Sequence, residues 1–167
     1  QKFPINAFGW KVLGAVLGRT GRKPEALAAN QKAASLSPQN AEAHSNLGVT
    51  LQEIGRLAES EVSFRHAIAL KPDYVVAHNN LGNTLKELGR LEEAQGSYKE
   101  AIALKPDYAE AYNNLGASLL LLGKLEEAEA SYVQAISLKP ELAEFHNNLG
   151  NTLRELDRLD EAEASFK

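Results

Sequence analysis

The chain has 167 residues, 44% hydrophobic and 24% charged, with a net charge of −4 and no cysteine. That length supplies one domain's worth of core. The lack of a basic run removes the counterion-release attraction behind nucleic-acid binding, and the lack of cysteine removes disulfides, thiolate metal sites and cysteine nucleophiles. No apolar run approaches the roughly 18 residues of a membrane span, and QKFPINAFGW lacks the basic and then apolar regions of a signal peptide, so a cytoplasmic location without membrane contact is expected.

The chain is an array. Pro4, Pro38, Pro72, Pro106 and Pro140 lie 34 residues apart, as do Gly14, Gly48, Gly82, Gly116 and Gly150 and the leucines before them. Residues 1–6 match the end of such a repeat; repeats follow at 7–40, 41–74, 75–108 and 109–142, and a fifth, 143–167, breaks off before its second helix is complete. The sequence therefore reads as a segment of a longer protein.

Each repeat predicts two helices. In 75–108, Ala77, His78, Leu81, Gly82, Leu85 and Leu88 follow the spacing of an amphipathic helix, the A helix; Gly89 ends it through a left-handed turn. Leu91, Ala94, Tyr98, Ala101, Ile102 and Leu104 form the B helix, which Pro106 and Asp107 stop. Ten helices are expected, the last truncated, around a core containing Trp10, Leu47, Leu81, Leu115 and Leu149.

Counted from Ala7, Ala41, Val75, Ala109 and Ala143, the pattern resembles the tetratricopeptide repeat. The bulky fourth position is Trp10, His44, His78, Tyr112 and His146, the small eighth is the glycine series, and the twentieth is Ala26, Ser60, Ala94, Ala128 and Ala162. An aromatic at Phe64, Tyr98, Tyr132 and Phe166 fills the gap between neighbours; Asn30 breaks that rule in the first repeat. The resemblance implies an all-α fold, a right-handed α-α superhelix or solenoid of 34-residue helix-turn-helix units, with a concave groove lined by A helices.

No catalytic constellation, cofactor or metal site emerges, because the titratable residues follow the repeat instead of converging. His44, His78 and His146 stand where an aromatic packs, on stacked helices about 8–10 Å apart, too far to share one metal ion. Glu92-Glu93 and Glu126-Glu127 start B helices, where carboxylates oppose the macrodipole.

The opposite face of the A helix carries the functional signal. Its sixth position is Asn46, Asn80, Asn114 and Asn148, with Asn83 and Asn151 three residues after two of them. Asparagine is a poor helix former and caps nothing in mid-helix; its amide can both donate to and accept from an extended backbone. Helices about 10 Å apart would set one such clamp every three residues of a strand rising about 3.3 Å per residue. The ladder resembles the asparagine-lined groove of the tetratricopeptide half of O-GlcNAc transferase, and the resemblance, shared with related bacterial proteins, implies that the chain holds a protein or extended peptide. Asparagines that merely bridge neighbouring A helices are the plain alternative. Groove-facing Glu42, Glu53, Glu87, Glu110, Glu144 and Glu155 predict an acidic groove, and Leu120 and Leu121 replace its usual polar pair with a possible apolar anchor.

The leading expectation is a non-catalytic scaffold that binds a protein segment in the groove. Two others stand beside it: a substrate-recruiting arm of a larger glycosyltransferase-like enzyme, and a module that self-associates end to end through the stripe Leu159, Ala162 and Phe166.

Overall fold

The computed structural model describes residues 6–166; the expected repeat end at 1–5 and Lys167 lie outside them. Those residues form ten helices and no strand: α1 (Ala7–Arg19), α2 (Lys23–Leu36), α3 (Ala41–Glu53), α4 (Leu57–Leu70), α5 (Val75–Glu87), α6 (Leu91–Leu104), α7 (Ala109–Leu121), α8 (Leu125–Leu138), α9 (Ala143–Glu155) and α10 (Leu159–Ser165). The odd-numbered helices are the A helices. They begin at the residues from which the repeat counts, because the proline-bearing connections before α3, α5, α7 and α9 cannot continue a helix.

The chain divides into two compact units, 1–84 and 85–167. In the first, α1 packs on α2, α2 on α3, and α3 on α4, with α1 also touching α3. In the second, each helix from α6 to α10 packs on the next, and α7 touches α9.

Local chemistry sets the joints. Gly21, Gly55, Gly89 and Gly123 end A helices at φ between 71° and 76°. Gly55 N–H donates to Gln52 O and Arg56 N–H to Leu51 O, both 2.9 Å, a left-handed helix end that favours glycine. In the last repeat Asp157 occupies this position at φ 59°. The residue after it opens the B helix and grips a first-turn carboxylate: Arg22 with Glu25, Arg56 with Glu59, Arg90 with Glu93, Arg158 with Glu161. Those bonds hold the Glu25 and Glu161 carboxyls below their ordinary range.

Where A and B helices cross, Ala26, Ser60, Ala94 and Ala128 are fully buried and the rings of Phe64 and Tyr132 lie on Gly48 and Gly116. Leu81 and Leu115 are buried as expected, whereas Trp10, Leu47 and Leu149 are only half-buried. Leu88 and Leu104 are exposed, the first just past the end of α5 and the second closing α6, where the chain turns into a connection.

Candidate functional site

The A-helix asparagines all lie in mid-helix and none caps a helix. Asn46 (α3), Asn80 and Asn83 (α5), Asn114 (α7) and Asn148 (α9) are half-buried, and Asn151 (α9) is exposed. Helix geometry explains the half-burial. One residue before the sixth position, Ser45, Asn79 and Asn113 turn into the packing and are buried, whereas Asn147 of α9 is exposed.

The last rung braces neighbouring A helices. Asn148 Nδ2 donates to Oδ1 of buried Asn113 at 2.9 Å, joining α9 to α7. Asn80 Oδ1 faces Asn79 Nδ2 at 3.4 Å, a weak contact within one helix. The backbone carbonyls of these residues are also engaged: Thr50, Thr84 and Thr152 hydroxyls donate to Asn46, Asn80 and Asn148 O at 3.1, 3.0 and 2.9 Å. These threonines are buried, as is Ser118 at the same place in α7. This hydroxyl series carries a seam between repeats, since Ser60 Oγ bonds Gly48 O at 2.8 Å and lies 3.2 Å from Thr84 Oγ1. Its recurrence at the 34-residue step was the signal that could have revealed it.

The histidines have a job that their packing position did not suggest. Nε2 of His44, His78 and His146 lies 3.0, 2.8 and 2.9 Å from the carbonyl of Pro38, Pro72 and Pro140. A carbonyl only accepts, so each ring donates from Nε2 and ties its A helix to the preceding turn. Burial lowers the pKa of His44 against the pull of Pro38, aided by the His66 ring stacked 4.1 Å away.

Two of the carboxylates expected to make the groove acidic are paired. Lys11 meets Glu42 at 2.6 Å, and Lys139 is paired with Glu110. Burial, the largest single influence, raises the Glu110 pKa, but the hydrogen bond from Lys139, a backbone hydrogen bond and the charges of Lys139 and Lys105 together outweigh it, and the carboxyl rests below its ordinary value. Of the leucine pair, Leu121 is 65% exposed while Leu120 is half-buried. The stripe expected at the end of α10 is incomplete. Leu159 and Phe166 are exposed, but Ala162 is buried, because it is the small residue at the helix crossing, like Ala94 and Ala128.

One concavity lies between α1 and α3: a recess of about 200 Å³ lined by Gly14, Ala15, Gly18, Arg19, Asn30, Asn46, Val49, Thr50 and Glu53. Beside it a shallower surface carries Phe8, Val12 and Val16, all exposed, so the ladder gives way to apolar residues in the first repeat.

TPR-repeat models match residues 14–55 and 82–123, and tetratricopeptide-repeat models match 41–74, 63–96, 109–142 and 131–164. Among solved structures, MamA is 27% identical with a TM-score of 0.82, over 92% of this chain and 90% of that one. A thermophilic TPR protein of Thermus thermophilus is 28% identical with a TM-score of 0.79, over 95% of this chain and 87% of that one. YrrB, a TPR protein with an unusual peptide-binding site, shares the fold at 22% identity and a TM-score of 0.74, over 96% of this chain and 82% of its own. No curated protein matches the chain. With repeat models covering half the chain and more, it belongs to the tetratricopeptide-repeat family of helical protein-interaction scaffolds.

Proposed function

We propose that this scaffold holds an extended polypeptide along its A-helix face, gripping the backbone with side-chain amides and carrying out no chemistry of its own. The observation that carries the reading is the recurrence of half-buried, mid-helix asparagine at Asn46, Asn80, Asn114 and Asn148, where alanine would make a better helix. A protein of the same fold, YrrB, has a peptide-binding site, a precedent for this use of the architecture.

The Asn148 to Asn113 bond favours a second role, bracing neighbouring A helices, for that rung. The two roles separate by experiment. Peptides selected from a randomised linear library are titrated against Asn46→Ala and Asn80→Ala. Each should weaken binding by about 0.5–1.5 kcal/mol per neutral hydrogen bond lost without lowering stability. Unchanged affinity in both variants refutes the clamp. A binding role without nucleic-acid, membrane or cofactor partners, in the cytoplasm, accords with the sequence; the transferase arm and end-to-end self-association remain rival uses of the same array.

A further inference from the structure

Asn30 stands where the other repeats carry Phe64, Tyr98, Tyr132 and Phe166. It is 2% exposed. Its Nδ2 donates to Thr50 Oγ1 at 2.9 Å and points to Asn46 O at 3.4 Å, and since that carbonyl can only accept, the nitrogen and oxygen ends of the amide are settled. Its Oδ1 has no partner. An unmet buried carbonyl costs about 1–3 kcal/mol, and this one lies against Gly14, where a Cβ would come within 2.1 Å of it. Replacing a ring by this small amide, in front of Gly14, Ala15 and Gly18, opens the recess between α1 and α3 and makes Asn30 its floor.

We infer that this recess is a specificity subsite that takes the carboxamide side chain of an asparagine or glutamine in a bound peptide. The inference rests on the proposed peptide-binding role and adds the residue read there. At about 200 Å³ the recess falls below the roughly 300–1,000 Å³ of small-molecule pockets and suits a single side chain. Its floor needs a donor, which excludes aliphatic groups and carboxylates. Arg19 and Glu53 line it with opposite charges, so an ammonium would be set beside Arg19 and an anion beside Glu53. Asn46 lines the same recess and has no side-chain hydrogen bond, leaving both a donor and an acceptor to offer. A carboxamide meets all three conditions. It donates to Asn30 Oδ1, reached by a small turn about the soft χ2 torsion, while its oxygen accepts from Asn46. The apolar shelf of Phe8 and Val12 then receives the neighbouring residue.

The test selects binders from a displayed library of randomised linear peptides and measures the best of them by fluorescence anisotropy. Selected peptides should share a glutamine or asparagine at one position, and its replacement by leucine should weaken binding about tenfold, equivalent to about 1.4 kcal/mol. Asn30→Phe rebuilds the ring-on-glycine packing of the other repeats and should erase that discrimination while peptides still bind. Gly18→Leu does the same from the opposite wall, where nothing lies within 4 Å of an added Cβ, and decides the matter if Asn30→Phe fails to fold. Binding without carboxamide preference, or a preference that survives in the folded variants, overturns the subsite and leaves the groove reading standing. No binding by any library peptide overturns both.

Discussion

Replacing the eighth-position glycines by alanine measures how the repeats are packed. A Cβ at Gly48 would lie 2.9 Å from Cε1 and Cζ of Phe64, and one at Gly116 would lie 2.8 and 2.9 Å from the same atoms of Tyr132. Unstrained carbon contacts are about 3.5–4.0 Å, and the two rings are 0% and 1% exposed, so neither can swing aside into solvent. Alanine gains about 1 kcal/mol of helix propensity over glycine, against about 1–3 kcal/mol for overpacking a filled core. Gly48→Ala and Gly116→Ala should therefore lose up to about 2 kcal/mol net. Gly18→Ala, with nothing within 4 Å of the new carbon, should keep the whole gain. Gly150 is the deciding control: its Cβ would sit only 2.5 Å from Phe166, but that ring is 47% exposed and free to move, so Gly150→Ala should be tolerated. Urea midpoints by far-UV circular dichroism read all four. If Gly48→Ala and Gly116→Ala gain as much as Gly18→Ala, or if Gly150→Ala is the worst, the packing argument is wrong.

Other perturbations have equally definite outcomes. Asp157 holds a left-handed conformation that glycine supplies at the same joint elsewhere, so Asp157→Gly should add up to about 1 kcal/mol of stability and raise the thermal midpoint, and Asp157→Val should lower it. Burial pushes the Tyr132 hydroxyl up to about 12, and Tyr98 moves the same way for the same cause. A raised folded-state pKa means stability intact below the ordinary tyrosine value of about 10 and lost above it, by about 1.4 kcal/mol per pH unit per group; urea midpoints should fall as pH rises past 10, and Tyr132→Phe should remove its share of that slope. Asn148→Ala strands Oδ1 of buried Asn113 and should cost about 1–3 kcal/mol, whereas Asn46→Ala should cost nothing; equal stability of the two variants would contradict the bridge.

Nearly all of the fold was legible, because the glycine and proline punctuation recurs in register and helix ends are local decisions. The starts of the A helices and the left-handed turn at Gly89 follow directly from that punctuation. Side-chain networks were less legible. The bond from Asn148 to Asn113 spans 35 residues and depends on which asparagine of an adjacent pair turns inward, a choice the helical period does not make. The histidine ties to Pro38, Pro72 and Pro140 need the three-dimensional course of the preceding turn. The neutralisation of Glu42 and Glu110 depends on lysines 31 and 29 residues away. The departure at Asn30 was visible as an exception, but its meaning came only with the recess it floors.

The central claim, that a polypeptide lies along the A-helix asparagines, is tested most directly by the side-chain amide resonances of the protein during titration with a library-selected peptide. The amides of Asn46, Asn80, Asn114 and Asn148 should shift in a saturable manner, while those of Gln31 and Gln134, exposed on the B helices α2 and α8, should stay in place. Shifts confined to Gln31 and Gln134, with the four asparagines unmoved at saturation, would contradict it.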